Sequence, residues 1–465
     1  MKEDSMAIRS KKNRIRYFIL KKYKLLTRSE YIEFPKDSRF FSKLRSLFKL
    51  AEEPNFSLNK TFNARAYLEN NYDIKQNWDL PPFLHFVLHG YKEGRTLAGG
   101  RLIQKTSDEL YLFYAGINSA RSLKGNPNRI LYLSPLPTSD GVIRWRIEFQ
   151  KAYFESQGKK VDYENYLHPS INFETNLKEA GTIIIVRPSE NKYYYEIKNS
   201  ILSSGKDVIL DLDDLIFDEN LVHLSGGYLS RKVPNIQILK DRANFMLQEI
   251  ATIGRVNCST VGLVEQVSKL IPDVETNLLK NNIPSSYISK FAAANKNKEI
   301  TTEIFKILII SGTYTHNYDC SLVYCDLLNF LIRHEDVSIS IMGRCELFEE
   351  LPEKLARKIT RLDYSDYDNY INEISNHDLV CYPLDKNQFN ACKSNIKYLE
   401  AALTSTPILV SKLDEFISVI KNGENGFFFE DSVIEQLEHL YKNRNELKTA
   451  GSRAYQAVLL NSIKD

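Results

Sequence analysis

Short, nearly continuous apolar runs recur along the chain from Arg129 onward, and stretches with helical periodicity separate them. Runs of this kind are typical of strands that are buried on both faces of a parallel sheet. Helices such as 143–157 and 237–250 are predicted between them. The first series of predicted strands comprises residues 129–134, 182–187, 207–212 and 255–259.

A second series follows a polar stretch, residues 285–303, which we interpret as a linker. Its predicted strands are 304–312, 337–343, 378–383, 407–411 and 426–430. Two such series predict an α/β protein with two Rossmann-like, doubly wound domains that face a cleft. We place an N-terminal domain at 127–290 and a C-terminal domain at 304–445. A final helix at 446–465 has no strand after it, which leaves it free to cross back over the cleft.

Two further segments precede these domains, a basic helical segment at 1–60 and a small helical module at 61–126. Residues 15–26 place apolar side chains on one helical face among lysines, and residues 1–49 carry a net charge of +10 against −7 for the rest. A basic amphipathic helix can lie on an anionic membrane surface. The alternative is a solvated helix packed on its own domain, and both stay open. No nucleic-acid-binding motif accompanies the charge, so nucleic acid is not a predicted partner.

The composition is that of an ordinary globular protein, with 43% hydrophobic and 26% charged residues. No run of about 18 apolar residues occurs, and the first residues lack the small-residue cleavage site of a signal peptide. Six cysteines occur without C-x-x-C spacing, which predicts free thiols in a reducing compartment. We therefore predict a cytoplasmic protein, located at the inner face of the cell membrane if the basic segment binds lipid.

Polar groups follow several of the predicted strands, where ligands bind in open α/β sheets. After the first strand, the loop 134–146 contains Gly141, which permits a close approach of backbone to a ligand. The helix that follows offers free N–H groups to an anion. Arg144 and Arg146 are expected to add positive charge at this point.

A second group of small and polar residues opens the C-terminal domain. Gly312, Thr313 and Thr315 form a turn with hydroxyl and backbone donors, and His316 stands at its edge. Turns of this kind can cradle phosphates, although plain connections can have the same composition.

The third stretch, "KSNIKYLEAALTSTP" at 393–407, contains two lysines four residues apart, Lys393 and Lys397. On one helix face these charges repel each other, and a diphosphate between them would relieve the repulsion. If Ser394 caps the helix, its first N–H groups face outward, and Glu400 one turn deeper could accept both hydroxyls of a ribose. The alternative is a solvated face with a Lys397–Glu400 ion pair, which explains Glu400 but not the paired lysines.

The fourth stretch, "DVILDLDDLIF" at 207–217, is an apolar strand that ends in Asp211, Asp213 and Asp214. A strand ending in D-x-D also begins the haloacid-dehalogenase-like phosphatases, in which Asp211 would be the nucleophile and Asp213 the acid. The D-x-D of metal-dependent glycosyltransferases is a further alternative. That fold has a single Rossmann-like unit, which would leave residues 304–430 unexplained.

Taken together, these stretches resemble bacterial glycosyltransferases of the GT-B fold, in the retaining branch that builds surface polysaccharides. The resemblance covers most of 129–430 and is strongest in "SGTYTHNYD" and "FNACKSNIKYLEAALTSTPILVS". The stretches 211–218 and 422–429 are similar to this group, and residues 66–97 are similar to a helical module that precedes such enzymes.

The resemblance implies that the C-terminal domain binds a nucleotide-sugar donor, UDP- or GDP-linked, as a co-substrate without a further cofactor or metal. It implies that Lys397 contacts the diphosphate, that Glu400 contacts the ribose, and that the 312–316 turn contacts phosphates or sugar. Gly141 and Arg144 would close over the donor from the N-terminal domain.

The same resemblance places the acceptor, a growing polysaccharide or a lipid-linked glycan, beside Asp213 and Asp214. One position departs from the family pattern, because Cys392 stands where many retaining enzymes carry a glutamate that contacts the donor sugar. We therefore expect front-face transfer without an enzyme nucleophile. The departure also supports a third hypothesis, a GT-B-fold scaffold of a polysaccharide-assembly complex that has lost activity.

Overall fold

The structure is a computed structural model that describes residues 57–58, 62–63, 125–138, 140–233, 235–291, 303–312, 314–349, 351–362 and 366–463. The segments predicted at 1–60 and 61–126 lie almost entirely outside these ranges. Apart from residues 125–126, which lead into the first long strand, the described part of them is an antiparallel pair of short strands, β1 (Ser57–Leu58) and β2 (Phe62–Asn63). No described helix is both long and apolar enough to cross a membrane.

The first lobe is built on a parallel sheet with the strand order β4-β3-β5-β6-β7-β8. Its strands are β3 (Asn126–Ser134), β4 (Lys160–Asn165), β5 (Ala180–Val186), β6 (Asp207–Leu212), β7 (Arg255–Cys258) and β8 (Glu275–Leu278). Its helices are α1 (Gly141–Ile143), a π-helical turn (Arg144–Glu148), α2 (Phe149–Ser156), α3 (Phe173–Glu179), α4 (Lys192–Ser203), a 3-10 turn (Val222–Leu224), α5 (Gly226–Leu229), α6 (Ile236–Ile253) and α7 (Val261–Leu270).

The second lobe has a parallel sheet with the order β11-β10-β9-β12-β13-β14. Its strands are β9 (Phe305–Gly312), β10 (Val337–Gly343), β11 (Ile359–Leu362), β12 (Leu379–Tyr382), β13 (Ile408–Ser411) and β14 (Phe427–Phe429). Its helices, with α8 (Ser285–Lys290) leading into it, are a 3-10 turn (Tyr314–His316), α9 (Asn317–Arg333), α10 (Glu353–Ala356), α11 (Tyr367–Ser375), α12 (Gln388–Ala391), α13 (Ile396–Leu403), α14 (Asp414–Ile417), α15 (Ile434–Lys442) and α16 (Arg444–Leu460).

Both sheets are covered on both faces, which explains the continuous apolar runs in the sequence. In β3, Leu131 belongs to the core on one face and Tyr132 to the core on the other. In β9, Leu308 and Ile309 are divided in the same way. Side chains alternate between the faces of a strand, so a strand between two helical layers needs apolar residues throughout. The predicted α/β class with two doubly wound sheets is confirmed.

The strand order of each sheet reverses at one point, between β3 and β5 in the first lobe and between β9 and β12 in the second. The loops beyond the carboxyl ends of the strands at such a switch point diverge and leave a crevice, which is where ligands bind in open α/β sheets. The loops that follow β3, β5, β9 and β12 therefore border the two crevices.

The prediction of a polar linker from residue 285 is wrong for residues 285–291. Helix α8 lies there, and Ile288 and Phe291 are buried with apolar residues of the second lobe. The end of the chain also contacts this region, because the Ile463 N–H donates to the Ile283 carbonyl at 3.0 Å. Helix α16 packs closely on the second lobe, since a Cβ on Gly451 would lie only 1.9 Å from the Ser405 carbonyl oxygen.

Candidate active site in the interlobe cleft

Loops at the carboxyl ends of the two sheets meet each other across a cleft. Ser230, in the segment after β6, donates its hydroxyl hydrogen to the Thr315 carbonyl at 2.8 Å. On another side, the Arg144 guanidinium carbon lies 3.9 Å from the centroid of the Tyr367 ring. Both contacts join residues far apart in sequence, and each joins the first lobe to the second. The two switch points therefore lie on facing surfaces.

The loop after β3 brings one of its two arginines to the cleft. Asp140 caps α1 by accepting a hydrogen bond from the Val142 N–H at 2.8 Å, and Gly141 beside it is exposed with open space around it. The π-helical turn then carries Arg144 to Tyr367. The expectation that Arg146 adds charge to the cleft is wrong.

Arg146 is buried because its side chain turns into the first lobe. Its Nε and Nη2 donate to the two carboxylate oxygens of Asp211 at 2.7 and 2.9 Å, and its Nη1 donates to Asn281 at 2.8 Å. Neither side chain of the Arg146–Asp211 pair is exposed. The positive charge is therefore neutralised inside the lobe.

Glu400 lies at the base of the cleft in the second lobe and is only 2% exposed. Its carboxylate accepts hydrogen bonds from the Tyr367 hydroxyl at 3.2 Å, the Tyr370 hydroxyl at 2.6 Å and Lys397 Nζ at 2.7 Å. Burial, and then the charge of Glu400, raise the pKa of Tyr370, which keeps this phenol protonated as a donor. The Lys397–Glu400 ion pair is therefore present, and both tyrosines were missed by sequence reasoning.

The prediction that Ser394 caps the lysine-bearing helix is wrong. Helix α13 begins at Ile396 with Asn395 at the N-cap position, and no side chain caps its first N–H groups. Helix α12 ends at Ala391, so Ser394 falls in the short connection between the two helices. Lys393 lies in the same connection and does not share a helix face with Lys397.

The charges of both lysines nevertheless affect the pKa of His316, in the turn after β9. Burial lowers the pKa of His316, the charges of Lys393 and Lys397 lower it further, and a hydrogen bond to Asp319 opposes them. A hydrogen bond from the Asn390 amide to Asp319 joins the His316 turn to helix α12, which ends two residues before Lys393. Gly312 ends β9 at the same turn, and Thr313 lies outside the described residues.

Asp213 and Asp214 follow β6 and share one arginine that sequence reasoning missed. Arg187, directly after β5, donates its Nε–H to Asp213 at 2.7 Å and its Nη2–H to Asp214. Arg187 has a φ of +44°, a left-handed conformation that is uncommon outside glycine. The position could have been suspected because β5 borders the switch point, but its strained backbone has no sequence signal.

The pKa values of the two carboxyl groups that share Arg187 are shifted in opposite directions. Burial and the neighbouring charge of Asp214 raise the pKa of Asp213 despite Arg187. Burial also acts on Asp214, but Arg187, Lys393 and His316 outweigh it and lower the pKa of that carboxyl group. Charged groups of the second lobe thus affect the pKa of Asp214 in the first lobe. In the part of the chain that the structure describes, no three His, Cys, Asp or Glu side chains are grouped as metal ligands.

Cys392, where the resemblance predicts a glutamate, is buried at a contact between the lobes. It is 4% exposed, its carbonyl accepts a hydrogen bond from Thr260 at 2.9 Å, and its Sγ would lie 3.2 Å from a Cβ added to Gly262. Burial raises the pKa of Cys392 to about 12. The residue is therefore a contact between the lobes.

Residues 305–443 match the family model described as "Glycosyl transferases group 1". A solved structure of a glycosyltransferase from Rickettsia africae ESF-5 is similar over 73% of this chain and 95% of that chain, with a TM-score of 0.50 and 14% identity. Anabaena Alr3699/HepE in complex with UDP and glucose is similar over 72% and 95%, with a TM-score of 0.46 and 14% identity. The search of curated proteins found no match. The chain thus has the GT-B fold, and most of its second lobe matches the glycosyltransferase group 1 model.

Proposed function

We propose that this protein is a glycosyltransferase that moves a sugar from a nucleotide-sugar donor, UDP- or GDP-linked, to a growing glycan. The observation that carries the proposal is the hydrogen bond from the Asn390 amide to Asp319, the partner of His316, at 3.1 Å. It holds the turn after β9 against α12, which ends two residues before Lys393, beside the switch point of the second lobe. Three basic side chains on one small region, next to the uncapped N-terminus of α13, favour an anion with more than one charge. The diphosphate of a nucleotide sugar is such an anion.

The donor is proposed to lie with its diphosphate at Lys393 and Lys397, near Ser394, Gly312 and His316. The contact predicted for Thr313, outside the described residues, stays a prediction. Glu400 is proposed to accept the ribose hydroxyls, and the carboxylate has lone pairs beyond those that the tyrosines use. Gly141 and Arg144 are proposed to close over the donor from the first lobe. The open space at Gly141 and the position of Arg144 across the cleft support this.

The lysines are proposed to act on the leaving group. When the bond from the anomeric carbon to the phosphate oxygen breaks, negative charge develops on the diphosphate. Fixed cations lower the barrier by stabilising that charge, and removing one such group commonly costs about 2.7–4 kcal/mol of transition-state stabilisation. We therefore propose a metal-independent reaction in which the lysines supply the positive charge.

We propose retention of configuration by front-face transfer. The acceptor oxygen bonds to the anomeric carbon on the face that the diphosphate leaves, and the acceptor proton passes to the departing phosphate oxygen. The packing of Cys392 between the lobes supports a route without an enzyme nucleophile at that position. Asp213 and Asp214 are proposed to orient the acceptor hydroxyl.

The acceptor is proposed to be a polysaccharide or a lipid-linked glycan of the cell envelope, on the basis of the family resemblance. The same resemblance and the basic balance of residues 1–49 support a location at the inner face of the membrane. Partition of the protein onto anionic vesicles, compared with a variant that lacks residues 1–28, tests this part of the proposal.

The experiment for the donor site is a thermal-shift screen with UDP-, GDP-, ADP- and CMP-sugars, followed by a transfer assay with the sugar that binds. A ligand at 100 times its Kd stabilises the fold by about 2.7 kcal/mol, which gives a clear shift in Tm. Lys393→Ala and Lys397→Ala are expected to lose the shift and the transfer. Lys412→Ala, which removes a half-exposed lysine paired with Glu430 in the same lobe, is the matched control and should keep both.

The outcomes separate the remaining hypotheses. Tight binding of a nucleotide sugar without turnover across a panel of glycan acceptors would indicate the inactive scaffold. Magnesium-dependent phosphate release without any nucleotide-sugar binding would contradict the proposal and favour a phosphatase. The burial of Asp211 against Arg146 speaks against a nucleophilic role for this aspartate.

A further inference from the structure

His316 and Asp319 form a hydrogen-bonded pair at the start of α9, with Nδ1 and Oδ2 3.2 Å apart. The Asp319 side chain is 2% exposed, and its second oxygen accepts hydrogen bonds from the Asp385 N–H at 2.9 Å and the Asn390 amide at 3.1 Å. The carboxylate is thus fixed by donors on both oxygens. A carboxylate held in this way selects the tautomer in which Nδ1 carries the hydrogen.

The other ring nitrogen of His316, Nε2, has no hydrogen-bond partner among the described residues, and the side chain keeps 20% exposure. The charged groups that act on the imidazole come from several elements. They are Lys393 before α13, Lys397 on α13, Asp319 on α9 and Asp214 across the cleft. The Tyr382 ring, 6.1 Å away between centroids, packs on another side.

The balance of these charges changes when an anion enters. In the free cleft, burial and the two lysines lower the pKa of His316, so the imidazole is neutral at pH 7. A diphosphate between Lys393 and Lys397 adds two negative charges beside the ring. An opposite charge within a few ångströms favours the protonated form of histidine, and Asp319 already favours it from the other side.

We propose that His316 takes up one proton from solvent when a nucleotide sugar binds and then donates its Nε2–H to a phosphate oxygen. Asp319 is the positioning residue, because it accepts the Nδ1 hydrogen and stabilises the imidazolium. This inference rests on the proposed donor site. It adds protonated His316 to that site as a third cation, which is present only while a nucleotide sugar is bound. Donor binding is then coupled to pH by the protein itself.

Isothermal titration calorimetry tests this, with UDP-glucose and GDP-mannose as probes in two buffers of different ionisation enthalpy. A nucleotide sugar is esterified at both phosphates, so the ligand has no group that titrates near pH 7. The wild-type protein is expected to take up close to one proton per bound nucleotide sugar. Its affinity should fall by up to tenfold per pH unit between pH 6 and pH 8.

Substitutions assign the proton to a residue. His316→Gln should bind without proton uptake, with an affinity that does not vary with pH and that is about tenfold weaker at pH 6. Asp319→Asn should reduce the uptake, with Tm measured to confirm folding. His334→Gln removes another histidine paired with a carboxylate, Glu438, at the far end of α9, and should keep the wild-type uptake.

The possible failures are distinguishable. Binding without proton uptake, or uptake that persists in His316→Gln, overturns this inference and leaves the donor site in place. Absence of binding by both nucleotide sugars overturns the assignment of the donor site to these probes and this inference with it.

Discussion

Arg146 holds both carboxylate oxygens of Asp211 inside the first lobe, and neither side chain is exposed to solvent. Removing one partner of a buried ion pair leaves an unpaired charge, which costs about 3–5 kcal/mol. We therefore expect Asp211→Ala to lower the free energy of unfolding by this amount in urea denaturation. Asp207→Ala is the control on the same strand, because Asp207 pairs with Arg255 at the surface and should cost less than about 1 kcal/mol.

This experiment also separates a structural role from a catalytic one. A phosphatase nucleophile at Asp211 would tolerate Asp211→Asn with unchanged stability while phosphate release disappeared. That result would contradict the structural role. Loss of stability, with no phosphatase activity in the wild-type protein, is the expected outcome.

Gly226 is the point at which α5 of the first lobe touches the turn after β9. A Cβ at this position would lie 2.4 Å from the Thr315 carbonyl oxygen, whereas a Cβ on Gly227 would meet only side-chain methyl groups at 3.6 Å or more. Gly226→Ala therefore has to move the turn that carries His316, and forced overlap of this kind costs about 1–3 kcal/mol. We expect a lower Tm and weaker nucleotide-sugar binding.

Gly227→Ala is the matched control for the same helix. It carries the same change in helix propensity without the overlap, and should leave binding unchanged. Equal loss of nucleotide-sugar binding in both variants would show that overlap with the Thr315 carbonyl does not cause the loss.

The predictable part of the fold was the buried part. The central strands were found because both of their faces are apolar, and β6 and β10 begin and end where the pattern predicted. The strands at β4, β8 and β11 were missed. Each is the outermost strand of its sheet and carries polar residues on a partly exposed face. Such a strand lacks the continuous run of apolar residues by which the buried strands were predicted.

The sequence predicted which loops contain candidate site residues, but it did not predict which side chains pair with one another. The sequence indicates which residues follow a predicted strand, and the structure has Gly141 after β3, Gly312 at the end of β9 and Lys397 on α13 after β12. The pairing of Arg187 with two aspartates and of Tyr370 with Glu400 joins residues that are remote in sequence. Local patterns contain no information about such contacts, which the packing of whole elements decides.

Replacing Asp213 or Asp214 by asparagine is expected to change the free energy of unfolding at pH 7 in opposite directions. The pKa of Asp213 is raised in the folded protein, so folding disfavours the ionised form of this carboxyl group. Stability therefore falls as the pH rises from the ordinary pKa of aspartate toward the raised pKa of the folded state. The pKa of Asp214 is lowered in the folded protein. This group therefore contributes stability at pH values above the ordinary pKa of aspartate, and that contribution is lost as the pH falls through the folded-state pKa. We expect Asp214→Asn to destabilise by about 1–3 kcal/mol and Asp213→Asn to be neutral or stabilising.

Thermal unfolding at pH 7 and pH 4 measures both effects, and the difference between the variants should shrink at the lower pH. Both variants are expected to lose transfer if the pair orients the acceptor. A variant Asp213→Asn that is much less stable than wild type would contradict the assigned direction. Full transfer by both variants would remove the pair from the acceptor site without affecting the stability argument.

Glu400 can serve the ribose only if its carboxylate accepts hydroxyls in addition to Tyr367, Tyr370 and Lys397. A hydrogen bond to a charged group contributes about 1.5–3 kcal/mol. We therefore expect the wild-type protein to bind a nucleotide sugar roughly 10–100-fold more tightly than its 2′-deoxyribose counterpart. Glu400→Gln should lose most of this discrimination, and Glu438→Gln, remote from the cleft, should keep it.

Equal binding of the ribose and deoxyribose forms by the wild-type protein would leave Glu400 with a purely structural role. Its carboxylate would then serve to hold Lys397 and the two tyrosines, which is the ion-pair alternative drawn from the sequence. Tyr370→Phe provides the second measurement, because it removes the 2.6 Å hydrogen bond and frees one acceptor site on Glu400. If Glu400 binds ribose, discrimination in this variant is expected to stay or rise; if Glu400 is only structural, the two forms should again bind equally.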